Sequence, residues 1–346
     1  MASNTSTRAA LTLAAVALAA AAAIPFLGDV PAASDPLVVY CAHDSLFSED
    51  ILREFEEQTG IPVSIQFDTE ATKSLGFVNL LIREQNAPRC DVFWNNQVLG
   101  TLDLKEAGIL LPYKGKGYQR IPDEYKDPDG LWTGFAARLR VYIVNTDRME
   151  ASPGAIADAA GRDDLSRMAV AKPLYGTTRS HFTALWHAMG GEELTRWHHR
   201  VREQGLREAS GNAAVMKMVA SGACDFGWTD TDDFYAAFDE GKPVDMLPVR
   251  LDGGATICIP NSVSIIRGTE RLEEAQQLVD FLLSAQTEDA LARSQSRQIP
   301  LGPVDTVRLS ADVKQLRDWA QDGYDVNSIG SARAECLAWL KSEYLK

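Results

Sequence analysis

The sequence predicts an α/β protein of two lobes, each an open mixed sheet covered by helices, with hinge strands joining them. Three observations predict it. Short apolar runs of strand type alternate with helical patterns of roughly 10–15 residues, a repetition that an open, largely parallel sheet satisfies by covering its faces with helices. The repetition occurs twice, once from Pro36 and again from about Thr146 to Arg250. Two strand-like stretches, near Arg138 and from Ala255 to Ser264, carry the chain between these units, which describes a hinge architecture.

The bulk composition is compatible with two cores. The 346 residues are 45% apolar and 24% charged, so the chain is globular rather than disordered. A net charge of -14 argues against nucleic acid as a partner. The N-terminus reads as an export signal over residues 1–33: Arg8, an Ala/Leu/Val run from Ala9 to Ala23, Pro25, then small residues to Ala33. Cleavage near Ala32 or Ala33 would deliver a periplasmic protein. The alternative is an uncleaved anchor, since the run reaches about the minimum for spanning a bilayer. Cys41, Cys90, Cys224, Cys258 and Cys336 are far apart and show no zinc-type Cys-x-x-Cys spacing. Buried thiols with at most one or two bridges are expected.

Taken in order, Leu37–Cys41 is a buried-strand run ending in His43 and Asp44. A helix with Phe47, Ile51, Leu52 and Phe55 at helical spacing follows and stops at Gly60. Ile61–Phe67 is the next strand, ending in Asp68, Thr69 and Glu70. Leu75–Glu84 is helical, Cys90–Trp94 is a third strand, and Asn95 and Asn96 open a helix that ends at Gly108. Three successive strand ends thus present polar groups, and in such sheets those ends face one crevice. Arg138, Arg140 and Tyr142 alternate with Leu139, Val141 and Ile143, the period of a half-buried strand. Arg138 is a candidate for an anionic ligand, with a neighbouring carboxylate as the competing partner.

In the second unit Met168–Ala171 is a strand. Gly176, Thr177 and Thr178 lead into a helix from Ser180 to Met189, and Gly211-Asn212 precedes the helix Ala213–Ala220. Helix starts of this kind suit an anion, because the first N–H groups lack partners and the dipole favours negative charge. Gly227–Tyr235 runs from a strand into a helix with Asp230, Thr231, Asp232 and Asp233 crowded together. The pattern fits one wall of a binding cleft, or else an acidic helix cap. The later helical patterns, Leu272–Leu283, Thr287–Arg293, Val313–Ala320 and Ser331–Tyr344, are expected to pack back on the first lobe.

No nucleophile elbow, His-Glu-x-x-His, Walker A loop or dinucleotide Gly-x-Gly-x-x-Gly occurs, so an enzyme is not expected. The competing class is an exported hydrolase using Asp232 and Asp233 as an acid–base pair. The histidines include His181, His187, His198 and His199, three of them in helical stretches near Trp186 and Trp197, and a helix-face histidine pair is read as surface or packing unless a third ligand lies near.

The Val38-Val39-Tyr40 strand, Phe55-Glu56-Glu57-x-Thr59-Gly60-Ile61, Asp91-Val92-Phe93-Trp94, Lys105-Glu106-Ala107-Gly108, Asp127-Pro128-Asp129-Gly130-x-Trp132-x-Gly134 and Arg138-x-Arg140-Val141 together resemble the ferric-ion-type solute-binding proteins of bacterial ABC importers. The resemblance spans roughly residues 37–302. It implies a type II periplasmic-binding-protein-like fold, with lobe 1 from residues 34–137 plus 260–346 and lobe 2 from 138–259. It also implies a monomer that presents a small-molecule or ion ligand to an ABC permease in the inner membrane.

Where that family carries a tyrosine pair, the matching positions are Asp232 and Asp233. Its glutamate corresponds to Asn96 and its early histidine to His43 or Asp44. The places matching the family's anion seat, Gly176, Thr177, Thr178 and Asn212, keep suitable donors. The expected ligand is a phosphorylated or phosphonylated small molecule, with no cofactor. The alternative is Fe(III), or another hard metal, carried with a bound anion on Asp232, Asp233 and His43.

Overall fold

The computed structural model describes residues 35–68 and 74–345. The expected export signal and Glu70 lie outside the described residues. Ten strands form the framework: β1 (Leu37–Cys41), β2 (Val63–Phe67), β3 (Val92–Asn95), β4 (Leu110–Leu111), β5 (Thr133–Asn145), β6 (Met168–Ala171), β7 (Arg207–Ala209), β8 (Phe226–Asp230), β9 (Val244–Pro248) and β10 (Cys258–Ile266).

In the first sheet β2, β1 and β3 are parallel, and β10 runs antiparallel to β3 and β4. The second has β8, β6 and β7 parallel, with β5 antiparallel to both β8 and β9. β5 belongs to both: Thr133–Leu139 pairs with β10, and from Arg140 onward it pairs with β8. The β5–β10 register shifts between Pro260 and Asn261, whose partners are Ala137 and Phe135. Ala136, the extra residue, has φ 39°. A bulge of this kind bends the strand just before Arg138.

Local sequence accounts for the elements that carry the site. The helix Ser45–Thr59 buries Ile51, Leu52 and Phe55 and ends at Gly60, whose φ of 71° is the left-handed closure that glycine adopts without strain. Its core gathers Leu37, Val39, Phe55, Val92, Trp94 and Leu278. Another core gathers Val170, Phe182, Phe226, Trp228, Cys336 and Leu340.

Three expectations are corrected. β5 is buried along both faces, not half-buried: Arg138 and Arg140 are 2% and 0% exposed, because helices and neighbouring strands cover both sides of a strand shared by two sheets. The helix Ala332–Tyr344 packs on the helix Gly176–Met189 of the second unit, not on the first, because Cys336 and Leu340 join the core around Phe182 and Trp228. The helix Ala311–Ala320 lies against the shared strands through Leu316 and Ala320, in one cluster with Leu139 and Cys258. All five cysteines are buried free thiols. No helix among the described residues is long and apolar enough to cross a membrane.

Candidate functional site

Four strand-to-helix junctions border one cavity of about 300 Å³. They precede the helices Ser45–Thr59, Gly176–Met189, Asn212–Ala220 and Thr231–Asp239, and none of the residues before them (Asp44, Tyr175, Gly211, Asp230) makes a side-chain capping hydrogen bond. Four helix starts without side-chain caps, and so four positive dipole ends, therefore border the same space, although the Phe47, Ala214 and Asp233 N–H groups already donate to the Asp44 carbonyl, the Gly211 carbonyl and Asp232 Oδ1. Gly176 opens its helix with φ 53°, a conformation that strains any residue with a side chain.

Beneath the cavity lies a buried polar layer. Arg140 Nη1 donates to Asp230 Oδ1 at 2.7 Å and to Asn212 Oδ1 at 3.0 Å. Asp230 Oδ2 accepts from Asn212 Nδ2 at 2.9 Å and from the Thr177 hydroxyl. The Thr178 hydroxyl donates to Asn212 Oδ1 at 3.0 Å. Asp230 is thus fully used as a brace, and the side-chain protons of Thr177, Thr178 and Asn212 are directed to protein acceptors. Backbone N–H groups of the helix starts, rather than these side chains, are placed to meet an anion, with the exception of the Asp233 N–H, which donates to Asp232 Oδ1 at 3.1 Å.

Arg138 ties the two sheets together. Its Nη1 donates to the Asn96 carbonyl at 2.7 Å and its Nη2 to Asn261 Oδ1 at 3.1 Å. Nη2 also lies 2.8 Å from His43 Nε2, which Gln298 Nε2 approaches to 2.5 Å. Asn261 Nδ2 donates to Gln298 Oε1 at 2.8 Å, which fixes Gln298 as the donor toward His43. His43 Nε2 therefore accepts, and its lone pair is committed. Arg138 Nε sits 3.2 Å from Asp232 Oδ2, but off the N–H axis, so this pair is held by charge without a hydrogen bond.

Of the residues singled out in the sequence, Asp44, Asn96, Arg138, Gly176, Thr177, Thr178, Asn212, Asp230, Asp232 and Asp233 line the cavity. His43, Asp68, Asn95 and Thr231 do not. His43 is buried behind Arg138, which corrects its reading as a metal ligand. Asn95 Nδ2 donates to Thr101, and the Thr231 hydroxyl accepts from the Leu139 N–H. The carboxylates that do converge are Asp230, Asp232 and Asp233, with one oxygen of each within 4.8 Å of the others.

Lys172, Tyr175 and Ser210 also line the cavity and were not singled out. Lys172 and Ser210 follow strands β6 and β7 directly, so the strand-end rule that found Asn96 applies to them equally. Tyr175 brings a phenol to a site from which the matched positions suggested it was absent. Asn96 Oδ1 is buried without a protein partner, an acceptor open to a ligand donor.

Behind Arg140, His181 Nδ1 accepts from Nε at 3.3 Å, and its ring lies 4.3 Å from that of Trp228. Burial, and secondarily the Arg140 guanidinium, hold its pKa well below the ordinary imidazole value. The unfolded chain takes up a proton near pH 6.5 that the folded chain resists. This contribution to stability is therefore complete above about pH 6.5 and is lost as pH falls toward the folded pKa. The urea midpoint is expected to drop between pH 7.5 and 5.5, with a shallower drop in His181→Phe; equal slopes would discount His181 as the cause.

Two sheets that share crossing strands, with ligand-sized space between their strand ends, define a two-lobed binding protein of the type II periplasmic class. The bacterial extracellular solute-binding protein family matches residues 50–320, and the chain belongs to that family. It is similar to the Fe(3+)-binding periplasmic protein of Serratia marcescens, 23% identical over 294 residues that cover 82% of this chain and 84% of the relative. Iron-bound HitA from Pseudomonas aeruginosa superposes with a TM-score of 0.77 at 21% identity, covering 89% of this chain and 98% of HitA. AfuA from Actinobacillus pleuropneumoniae, solved with fructose-6-phosphate, superposes with a TM-score of 0.72 at 18% identity over 89% of this chain and 98% of AfuA.

Proposed function

We propose that this protein is exported and captures a small phosphorylated or phosphonylated molecule between two lobes, one built on residues 34–137 and the other on residues 138–259 with the helix Ala332–Tyr344 packed on it. As a monomer it then passes the ligand to an ABC permease in the inner membrane. The observation that carries the reading is the meeting of four uncapped helix starts on one cavity that also holds the carboxylates of Asp44, Asp232 and Asp233. An anionic group suits the helix starts. Hydroxyl or ammonium groups on the same molecule suit the carboxylates and Asn96 Oδ1. The volume favours a small molecule over a bare ion.

Fe(III) carried with an anion is the second reading, favoured by the Asp230, Asp232 and Asp233 cluster, by Tyr175 and by the iron named for the Serratia relative. It requires Asp230 or Asp232 to leave an arginine partner. Hydrolysis is disfavoured, since Asp232 is paired with Arg138, and the carboxylate that meets the cavity-lining Thr177 hydroxyl, Asp230, is already paired with Arg140 and so is a weak base.

The test is a thermal-shift and calorimetric panel of hexose phosphates, aminoalkylphosphonates, inorganic phosphate and Fe(III) with carbonate. A true ligand at a hundredfold excess over Kd is expected to stabilise the fold by about 2.7 kcal/mol and to be recovered unchanged. Consumption of a phosphate ester would overturn the binding-protein reading in favour of the hydrolase.

A further inference from the structure

His198 and His199 stand side by side on the helix Gly191–Glu203, remote from the cavity residues, and the sequence left open whether a third ligand lies near. The last helix brings one. Glu343, at the end of Ala332–Tyr344, places Oε1 3.3 Å from His199 Nε2. That matches the edge of about 3.3 Å that a tetrahedral site with metal–ligand bonds of about 2.0–2.1 Å requires. Donor atoms of His198, His199 and Glu343 all lie within 4.8 Å of one another. We propose that His198, His199 and Glu343 form a zinc site that fastens the C-terminal helix to the helix Gly191–Glu203.

The chemistry of the surroundings supports this. His198 is 1% exposed. The Tyr344 hydroxyl, 2.8 Å from His198 Nε2, directs its proton to Glu208. Nε2 must then donate to the phenol, and Nδ1 is left with a lone pair and no protein partner. Arg202 lies 3.6 Å from Glu208 and 3.7 Å from Glu343. Two carboxylates facing one guanidinium leave a negative charge for a cation to take up. Two imidazoles and one carboxylate form a zinc-type donor set, and the half-exposed His199 leaves the fourth position to water.

The site stands or falls independently of the cavity. Metal-stripped mature protein is titrated with Zn(II) by calorimetry and with Co(II) by visible absorption. One equivalent is expected to bind in the micromolar range or tighter, with the intense d–d bands of four-coordinate Co(II) and a raised thermal midpoint. His199→Ala at an exposed side chain and Glu343→Gln, which keeps the side chain's size, are each expected to weaken binding at least tenfold and to remove the thermal gain, while Asp232→Ala leaves both intact. The proposal is overturned if Zn(II) shows no saturable binding in that range, or if Asp232→Ala removes it while His199→Ala does not.

Discussion

Replacing Asp230 by alanine is expected to cost about 3–5 kcal/mol of stability, the usual penalty for removing one partner of a buried ion pair. Arg140 is fully buried, and Asp230 is the carboxylate it pairs with. Its Nη2 already lacks an acceptor, so the charge left behind has little to fall back on. The same change takes the acceptor from Thr177 and Asn212, which loosens two helix starts at the cavity and should weaken ligand binding along with stability. Asp230→Leu combined with Arg140→Met removes both charges, and it is expected to recover much of the stability while leaving binding impaired. Urea midpoints at unchanged m-value measure the stability, and calorimetry the binding. A loss under about 1 kcal/mol in Asp230→Ala would mean that water reaches Arg140 and that the brace is not dry.

How much of this was legible depended on the distance over which each feature is determined. The strands Leu37–Cys41 and Met168–Ala171 and the helix Leu75–Glu84 fall where the apolar pattern puts them, because a short buried strand or an amphipathic helix is set by its own residues. The strand-end rule led to Asp44, Asn96 and Asp230 for the same reason. It included His43 and Asn95 wrongly among the cavity residues, since neighbouring positions at a strand end point to different sides, and only the partners, Arg138 and Thr101, decide which side is which. Period two around Arg138 and Arg140 is correctly alternating, yet it reveals nothing about what covers the polar side. Here Asp230, Asp232 and Asn261 cover it, residues some 90 to 120 positions away in sequence. The destination of the last helix was illegible for the same reason, because Cys336 and Leu340 would suit either core. Tyr175 shows the limit of position matching: reading Asp232 and Asp233 as the counterparts of the family's tyrosine pair anticipates no phenol, whereas one enters the cavity from the junction before the helix Gly176–Met189.

Asp232→Ala is expected to weaken binding of an organophosphate at least tenfold. A charge-assisted hydrogen bond from a ligand hydroxyl or ammonium is worth about 1.5–3 kcal/mol, and about 1.4 kcal/mol is a factor of ten. Asp232 is the better position to test than Asp230, because Arg138 keeps its hydrogen bonds to the Asn96 carbonyl and to Asn261 Oδ1 when that carboxylate is removed. Inorganic phosphate, which meets only the helix starts, should be affected much less. Thr178→Val should show the opposite selectivity. It removes the hydroxyl that holds Asn212 Oδ1 and disturbs the junction where the shared anionic group sits, so the ester and free phosphate should weaken together.

Under the iron reading the pattern changes. Asp232→Ala would abolish Fe(III) binding, and no phosphate or phosphonate ester would bind at any attainable concentration. Colour then separates two forms of that reading. Visible phenolate-to-iron absorption that Tyr175→Phe removes would make Tyr175 a ligand, whereas tight, colourless iron would leave the metal to the carboxylates. Either form, in the absence of ester binding, replaces the organophosphate reading.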